Sequence, residues 1–146
     1  MGDFTRRTKK NQGFTLLELV VVMTIIAILA SAVALSVNKY VKHARRARAV
    51  QDIATIKTAL RLYEVHNQSL PSQEQGLAAL MQKPGGSPEP TNWQGPYLEK
   101  MPKDPWGHDY VYEVTSDGQC RVLSYGRDNQ LGGEGDDDAD VTEDEK

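Results

Sequence analysis

From Phe14 to Val37 the chain runs through 24 residues whose one charge is Glu18. As a helix rising about 1.5 Å per residue this run reaches roughly 36 Å, enough to cross a hydrocarbon core of about 30 Å. It reads as a membrane-spanning helix. Beyond it the pattern changes but the helix is not expected to stop, because neither proline nor glycine occurs between Phe14 and Pro71. Apolar residues recur at Val41, Ala44, Val50, Ile53, Ile56, Leu60 and Tyr63. From Ile53 onward their steps of three and four make one stripe. A single helix is therefore expected from about Phe14 to about Val65. Its first half would face lipid or neighbouring subunits, and its second half would pack on the domain that follows.

Pro71 disfavours helical geometry at Leu70 and ends that helix. Ser72 is placed to cap a short second helix reaching about Gln82, with Leu77, Leu80 and Met81 as its apolar contacts. Residues 83–105 are rich in proline and glycine and read as an extended loop, tied down by Trp93, Tyr97 and Leu98. Asp104-Pro105-Trp106-Gly107 predicts a tight turn with a large buried ring beside it. Two strands, Tyr110 to Val114 and Arg121 to Tyr125, flank Asp117-Gly118 and form a hairpin. Tyr110, Tyr112 and Val114 share one face, which would lie on the helical stripe. The expected fold class is α+β, a long helical spine with a small antiparallel sheet and a long loop.

With 146 residues, there is room for one span and one soluble domain of about 80 to 100 residues, too small for a large active-site cleft. Cys120 is the one cysteine, so it forms no internal disulfide; a small, buried, strand-borne hydrophobe is its expected role. The net charge of −3 hides three blocks, two basic ones and an acidic one from Asp128 to Lys146. Arg6, Arg7, Lys9 and Lys10 precede the apolar run, and Lys39, Lys42, Arg45, Arg46 and Arg48 follow it, so basic residues flank both ends and do not orient the span. The second basic block reads as a solvated face or one that pairs with acidic neighbours in an assembly, with anionic headgroups as a competing partner; without interleaved aromatics it does not suggest nucleic-acid binding. A cleavable secretory signal would carry its small-residue site after the apolar run. Here the candidate cut lies before it, at Gly13-Phe14.

Glu18 is expensive inside a bilayer, about 2.5 to 3.5 kcal/mol near the centre of a span and less near an end. Two readings stand. The carboxylate snorkels to the headgroups, or an α-amine freed on Phe14 by cleavage is its counter-ion, four residues away on one helix face or on a neighbouring helix. The C-terminal stretch is the richest in chemistry. Asp128, Glu134, Asp136, Asp137, Asp138 and Asp140 crowd together with Gly126, Gly132, Gly133 and Gly135. Oxygen donors without histidine or cysteine suit calcium, and a disordered acidic tail is the competing reading. It is not an EF-hand, because Val141 stands at the sixth position where that loop needs glycine. No serine, cysteine or histidine sits in a nucleophile motif, and an enzyme is not expected.

Four motifs carry a family resemblance. G-F-T-L-L-E-L behind a basic leader resembles the class III signal of type IV pilins and their relatives. That likeness implies cleavage after Gly13 by a prepilin peptidase, N-methylation of Phe14, and a requirement for Glu18 in assembly. Y-E-V-H-N-Q-S-L-P-S-Q-E-Q-G-L-A-A-L from Tyr63 and P-Y-L-E-K-M-P-K-D-P-W-G-H-D-Y from Pro96 are similar to the major pseudopilins of the type II secretion system. His66 and Leu70 replace the usual aspartate and aromatic, and Asp109 replaces a common proline, which should loosen the start of the strand. In the membrane helix, Ala27 and Leu35 stand near positions where members commonly have glycine and proline.

The fourth motif, S-Y-G-R-D-N-Q-L-G-G-E-G-D-D-D-A-D-V, resembles the S-L-G-A-D-G-x-E-G-G-x-D-x-D-A-D-I loop of those pseudopilins, which holds a structural calcium. Carried over, the ligands are the Tyr125 carbonyl and the side chains of Asp128, Asp136 and Asp138. Asp137 is a replacement candidate, because this loop is one residue longer, and Asn129 stands where glycine is usual. The resemblance implies a type IV pilin-like fold divided into a leader at 1–13, the spanning half at 14–37, a periplasmic head at 38–141 and a mobile acidic tail at 142–146. It implies a subunit of a homopolymeric periplasmic filament, the pseudopilus, that drives export of folded proteins. Its partners would be its own copies, minor pseudopilins, the inner-membrane assembly platform, the prepilin peptidase, exported proteins and the outer-membrane secretin. Before assembly it would be single-pass in the inner membrane with a cytoplasmic N-terminus. The alternatives are a minor pseudopilin, a type IV pilin, or a membrane-anchored calcium-binding module.

Overall fold

The computed structural model describes residues 13–143, the side chains at 32 and 34–36 excepted. The basic leader up to Gln12 and the tail from Asp144 lie outside the described residues. One helix, α1, runs from Leu16 to Asn67, two residues later at its start than expected because Thr15 takes the cap. The Thr15 hydroxyl oxygen accepts the Glu18 N–H at 3.2 Å, and its carbonyl accepts that of Leu19. Thr15-Leu16-Leu17-Glu18 thus has the capping-box spacing, with an acidic side chain in the first turn where the helix dipole favours it. At the other end Gln68 turns left-handed at φ 58° and donates its N–H to the Glu64 carbonyl at 2.7 Å. This is the αL stop, made by glutamine where glycine is usual.

The chain divides into two compact units, residues 1–39 and 40–146. In the first, the large side chains of the helix are exposed, from Leu16 at 82% to Leu29 at 61%. Thr24 and Ser31 donate their hydroxyls to the Val20 and Ala27 carbonyls one turn back, leaving no unpaired hydroxyl donor at either position. Among the described residues no helix is long and apolar enough to cross a membrane.

The second unit holds the core. Ile53, Ile56, Leu60 and Tyr63 are buried on one face of α1 at the steps of the predicted stripe, and Ala49 extends it by one turn where Val50 was expected; Val50 is only half-buried. They pack with Leu77, Ala79 and Leu80, with Tyr110, Tyr112 and Val122, and with Val141. The expected second α-helix is instead a five-residue 3-10 helix, Gly76–Leu80. Ser72 does not cap it: the N-cap is Gln75, with no side-chain cap bond, and Ser72 instead closes the preceding turn, its hydroxyl accepting the Gln75 N–H at 3.2 Å while the Gln75 amide oxygen accepts the Ser72 N–H at 3.0 Å. Gly76 then takes φ 54°, which an α-helix cannot continue through, so the chain re-enters as a tighter turn.

Strands β1, Val111–Val114, and β2, Cys120–Leu123, pair antiparallel with Val111 opposite Leu123 and Val114 opposite Cys120. Each is shorter than expected, and Val114 at the hairpin end is exposed while Tyr110 and Tyr112 are buried on α1. The phenol of Tyr110 donates to Asp52 at 3.0 Å and that of Tyr112 to the Pro71 carbonyl at 2.7 Å. Burial pushes both phenol pKa values well above the usual range, and Asp52 adds to the shift at Tyr110. Before β1, Asp109 does not leave the chain loose. It pairs with Lys103 as an antiparallel bridge, with carboxylate and ammonium 2.7 Å apart. Cys120 is half-buried, and burial raises its thiol pKa.

The proline-rich loop is anchored as the sequence suggests. Trp93 donates its indole N–H to the Ala79 carbonyl at 3.0 Å, and Tyr97 stacks edge-on against both Tyr63 and Trp93. Backbone N–H groups of Tyr97 and Leu98 both donate to the Leu80 carbonyl. His66, where the resemblance has aspartate, meets the Tyr97 hydroxyl at 3.1 Å. Trp106 is only half-buried rather than enclosed, although its indole nitrogen is buried without a hydrogen-bond partner among the described residues.

Candidate functional site

Gly13, Phe14 and Thr15 precede the helix in non-helical chain. Phe14 is 86% exposed and nothing lies within 4 Å of a Cβ built on Gly13. Glu18 is exposed on the first turn. The predicted processing bond therefore lies in exposed, non-helical chain, immediately ahead of a capped helix.

The C-terminal loop is a second, distinct site. Ser124 and Val141 close it as an antiparallel bridge, each donating its N–H to the other's carbonyl. Val141 is fully buried, so the far end of the loop is fixed in the core. Inside it, Asn129 takes the left-handed φ of 54° expected of a residue standing for glycine. Gly126 and Gly133 are required by close approach: a Cβ on Gly126 would lie 2.7 Å from the Asp137 carbonyl oxygen, and one on Gly133 would collide with the Asp138 carbonyl. The loop backbone is thus folded tightly on itself, with the Asp137 and Asp138 carbonyls against the two glycines.

The predicted ligand side chains share this loop but face different partners. Asp128 is exposed and accepts the Gln130 N–H at 3.1 Å. Asp136 is exposed, and its carbonyl accepts from Arg46 at 3.1 Å. Asp137 is 5% exposed, with its Oδ2 3.3 Å from the Lys42 ammonium and its Oδ1 3.9 Å from Arg45. Asp138 receives a bidentate fork from Arg127, Nε to Oδ1 at 2.9 Å and Nη2 to Oδ2 at 2.8 Å. The Asp138 carboxylate holds the Arg127 pKa above its ordinary value. Tyr125 is half-buried at the loop's start, and Asp140 accepts the Gly132 N–H through both oxygens at 3.1 Å. Among the described residues no three acidic, histidine or cysteine side chains are gathered to hold a metal ion.

Two functional features were missed by sequence reasoning. The basic segment is not a free face: besides Lys42 and Arg45, Arg46 donates to the carbonyls of Asp136, Ala139 and Asp140 at 3.1 to 3.3 Å. The signal was there in the spacing of 42, 45 and 46, which shares one helix face, and in the acidic run of opposite charge. The second is Asp104, 3% exposed. Its Oδ1 accepts the N–H groups of Trp106 and His108 at 3.0 and 2.7 Å, and its Oδ2 accepts the Ser124 hydroxyl at 2.6 Å. His108 in turn lies 3.0 Å from the Gly126 carbonyl. The Asp-Pro-Trp-Gly turn is thereby fastened to the root of the C-terminal loop. At the loop's other end Glu143 pairs with Lys57 of α1.

Comparison with known proteins matches these elements. The family model described as Type II secretion system (T2SS), protein G matches residues 36–144, and the prokaryotic N-terminal methylation motif matches residues 8–34. The type II secretion system core protein G of Vibrio cholerae is 43% identical over 89% of this chain and 90% of its own length. That of Pseudomonas aeruginosa is 42% identical over 91% of this chain and 94% of its own. The crystal structure of the major pseudopilin from the type 2 secretion system of enterohaemorrhagic Escherichia coli superposes with a TM-score of 0.61 at 32% identity, covering 73% of this chain and 90% of that one. The chain belongs to the type II secretion system protein G family, the major pseudopilins, a family of structural subunits.

Proposed function

We propose that this pseudopilin is made with a cytoplasmic leader, is cut between Gly13 and Phe14 by a prepilin peptidase, is methylated on Phe14, and polymerises through its apolar half into a periplasmic filament that drives protein export. The observation that carries this reading is the contrast along α1, whose large apolar side chains are exposed from Leu16 to Leu29 and buried at Ile53, Ile56, Leu60 and Tyr63. An exposed apolar surface of that length needs lipid or copies of itself as solvent. The sequence continues apolar to Val37, which supports a single span in the inner membrane before assembly. The internal hydrogen bonds of Thr24 and Ser31 suit such a setting, where unpaired hydroxyls are costly.

Within the filament Glu18 would meet the α-amine of Phe14 on a neighbouring copy, fixing the axial register. The head would present its surface to minor pseudopilins, the assembly platform, the secretin and exported proteins. Calcium would serve as a structural ion of the C-terminal loop, held by the Tyr125 carbonyl and by Asp128, Asp136 and Asp138, with Asp137 as the replacement candidate. It would neutralise carboxylates that otherwise repel one another. The test is complementation of a host lacking its own protein G. Wild-type chain should restore export and yield filaments, whereas Glu18→Ala should be cleaved and methylated but fail in both. Filaments assembled normally by Glu18→Ala would refute the register role.

A further inference from the structure

A two-stranded sheet has two edges, each with main-chain groups that a further strand could use. The edge of β2 runs on into the Ser124–Val141 bridge, which pairs it at one end. On β1 the groups that face outward are those of Tyr112 and Val114, because Thr115 donates its N–H across the hairpin to Gln119 and successive residues alternate in direction. Among the described residues no third strand pairs with this edge, yet it is not open. The Gln73 side-chain amide donates to the Tyr112 carbonyl at 2.8 Å, and its oxygen accepts the Val114 N–H at 2.8 Å. One side chain thus satisfies an acceptor and a donor that an added strand would use.

The clasp is held in place from both sides. The Pro71 carbonyl accepts the Tyr112 phenol at 2.7 Å, and Ser72 and Gln75 bond each other reciprocally at 3.0 and 3.2 Å. The Gln75 amide is itself tied to the Pro88 carbonyl at 2.8 Å. The backbone flanking Gln73 is therefore fixed, which pre-positions its side chain against β1. Without that side chain the strand would show an unpaired carbonyl and N–H beside Val114, which is 39% exposed.

We propose that Gln73 is an edge guard: its amide occupies the main-chain pair on β1 through which the head would otherwise join, antiparallel, to β1 of a second copy. Such a pairing is isologous, and centring it on Glu113 sets Tyr112 of each copy opposite Val114 of the other. The two Glu113 carboxylates then face each other, so like charge is a second barrier to the same contact. A subunit crowded with its own copies, as the filament reading requires, needs its heads to meet without edge pairing.

The experiment uses the full chain in detergent with its one cysteine removed by Cys120→Ala and a thiol introduced by Glu113→Cys, which also lifts the like charge. Directly opposed residues of a non-hydrogen-bonded antiparallel pair have Cα atoms about 4.5 Å apart, within reach of a disulfide. Adding Gln73→Ala should raise the yield of oxidised dimer about fivefold and speed exchange of the Val114 amide by a similar factor, as loss of one net hydrogen bond predicts. Gln73→Glu, which keeps an acceptor for Val114 and adds charge to the edge, should give less dimer than Gln73→Ala. Neither Gln73 nor Glu113 belongs to the core, so the head stays folded in each variant. Faster Val114 exchange with an unchanged dimer yield would overturn the guard and leave Gln73 as a tie within the head. Unchanged exchange would overturn it as well, because the amide would then not be holding the edge. The apolar half of α1 is the same in every variant, so either failure leaves the filament reading standing.

Discussion

One helix serves two environments. From Leu16 to Leu29 its large side chains are exposed, and from Ile53 to Tyr63 the same kind of residue is buried at the steps of the stripe. Backbone geometry is helical in both halves, so the difference lies in what covers them. The second half is stabilised within the chain, by the 3-10 turn, the hairpin and Val141. The first half lacks an internal partner among the described residues and must find one outside. A filament subunit is served by this division, because its head folds before its assembly surface is satisfied.

The comparison breaks most sharply under a buried charge. Ile56→Asp places an unpaired carboxylate at a position with 0% exposure, a cost of about 3 to 5 kcal/mol that approaches the whole stability of a small domain. Leu29→Ala in the other half, 61% exposed, should leave the head's melting temperature unchanged in detergent. Circular dichroism melts of the two variants measure the contrast directly. Asp104→Ala comes next. It orphans the N–H groups of Trp106 and His108 and the Ser124 hydroxyl, for a loss of about 3 kcal/mol from a buried, charge-assisted network. The same variant should raise hydrogen exchange in the C-terminal loop.

Alkali sharpens the comparison without a mutation. Tyr110 and Tyr112 have folded pKa values raised above the ordinary 10.0. Their contribution is fully present below pH 10 and is lost above it, because the unfolded chain releases two protons that the folded head retains. Stability should fall by up to about 2.7 kcal/mol per pH unit above 10, read as declining melting temperature between pH 9 and 11.5. The helical signal of the apolar half should not follow that titration. The smallest effect belongs to the half-exposed Lys57–Glu143 pair: Lys57→Ala should cost under about 1 kcal/mol. A larger loss would mean that the end of the chain contributes more to the core than Val141 alone.

Much of this architecture was legible. The stripe on α1, the stop before Pro71, the Asp117-Gly118 hairpin and the anchoring of Trp93, Tyr97 and Leu98 are local or periodic signals, and the structure realises each of them. The second helix was misread because Leu77, Leu80 and Met81 fit a helical pattern, whereas the positive φ at Gly76 decides the outcome. The roles of Asp104 and Arg127 were not legible, and that of Arg46 only in part, through the helix face it shares with residues 42 and 45. Each joins segments far apart in sequence or selects one carboxylate among many, and neither spacing nor composition ranks such partners. The loop itself was found by resemblance, but its carboxylates' partners emerged only when α1 and residues 136–140 were brought together.

The central claim is that the exposed apolar half of α1 belongs to the working protein. The most direct test is the intact mass of the chain purified from membranes of a host carrying a prepilin peptidase. The account predicts a mature chain beginning at Phe14 and heavier by one methyl group. A chain cut on the far side of Val37, or one still carrying residues 1–13, would contradict it.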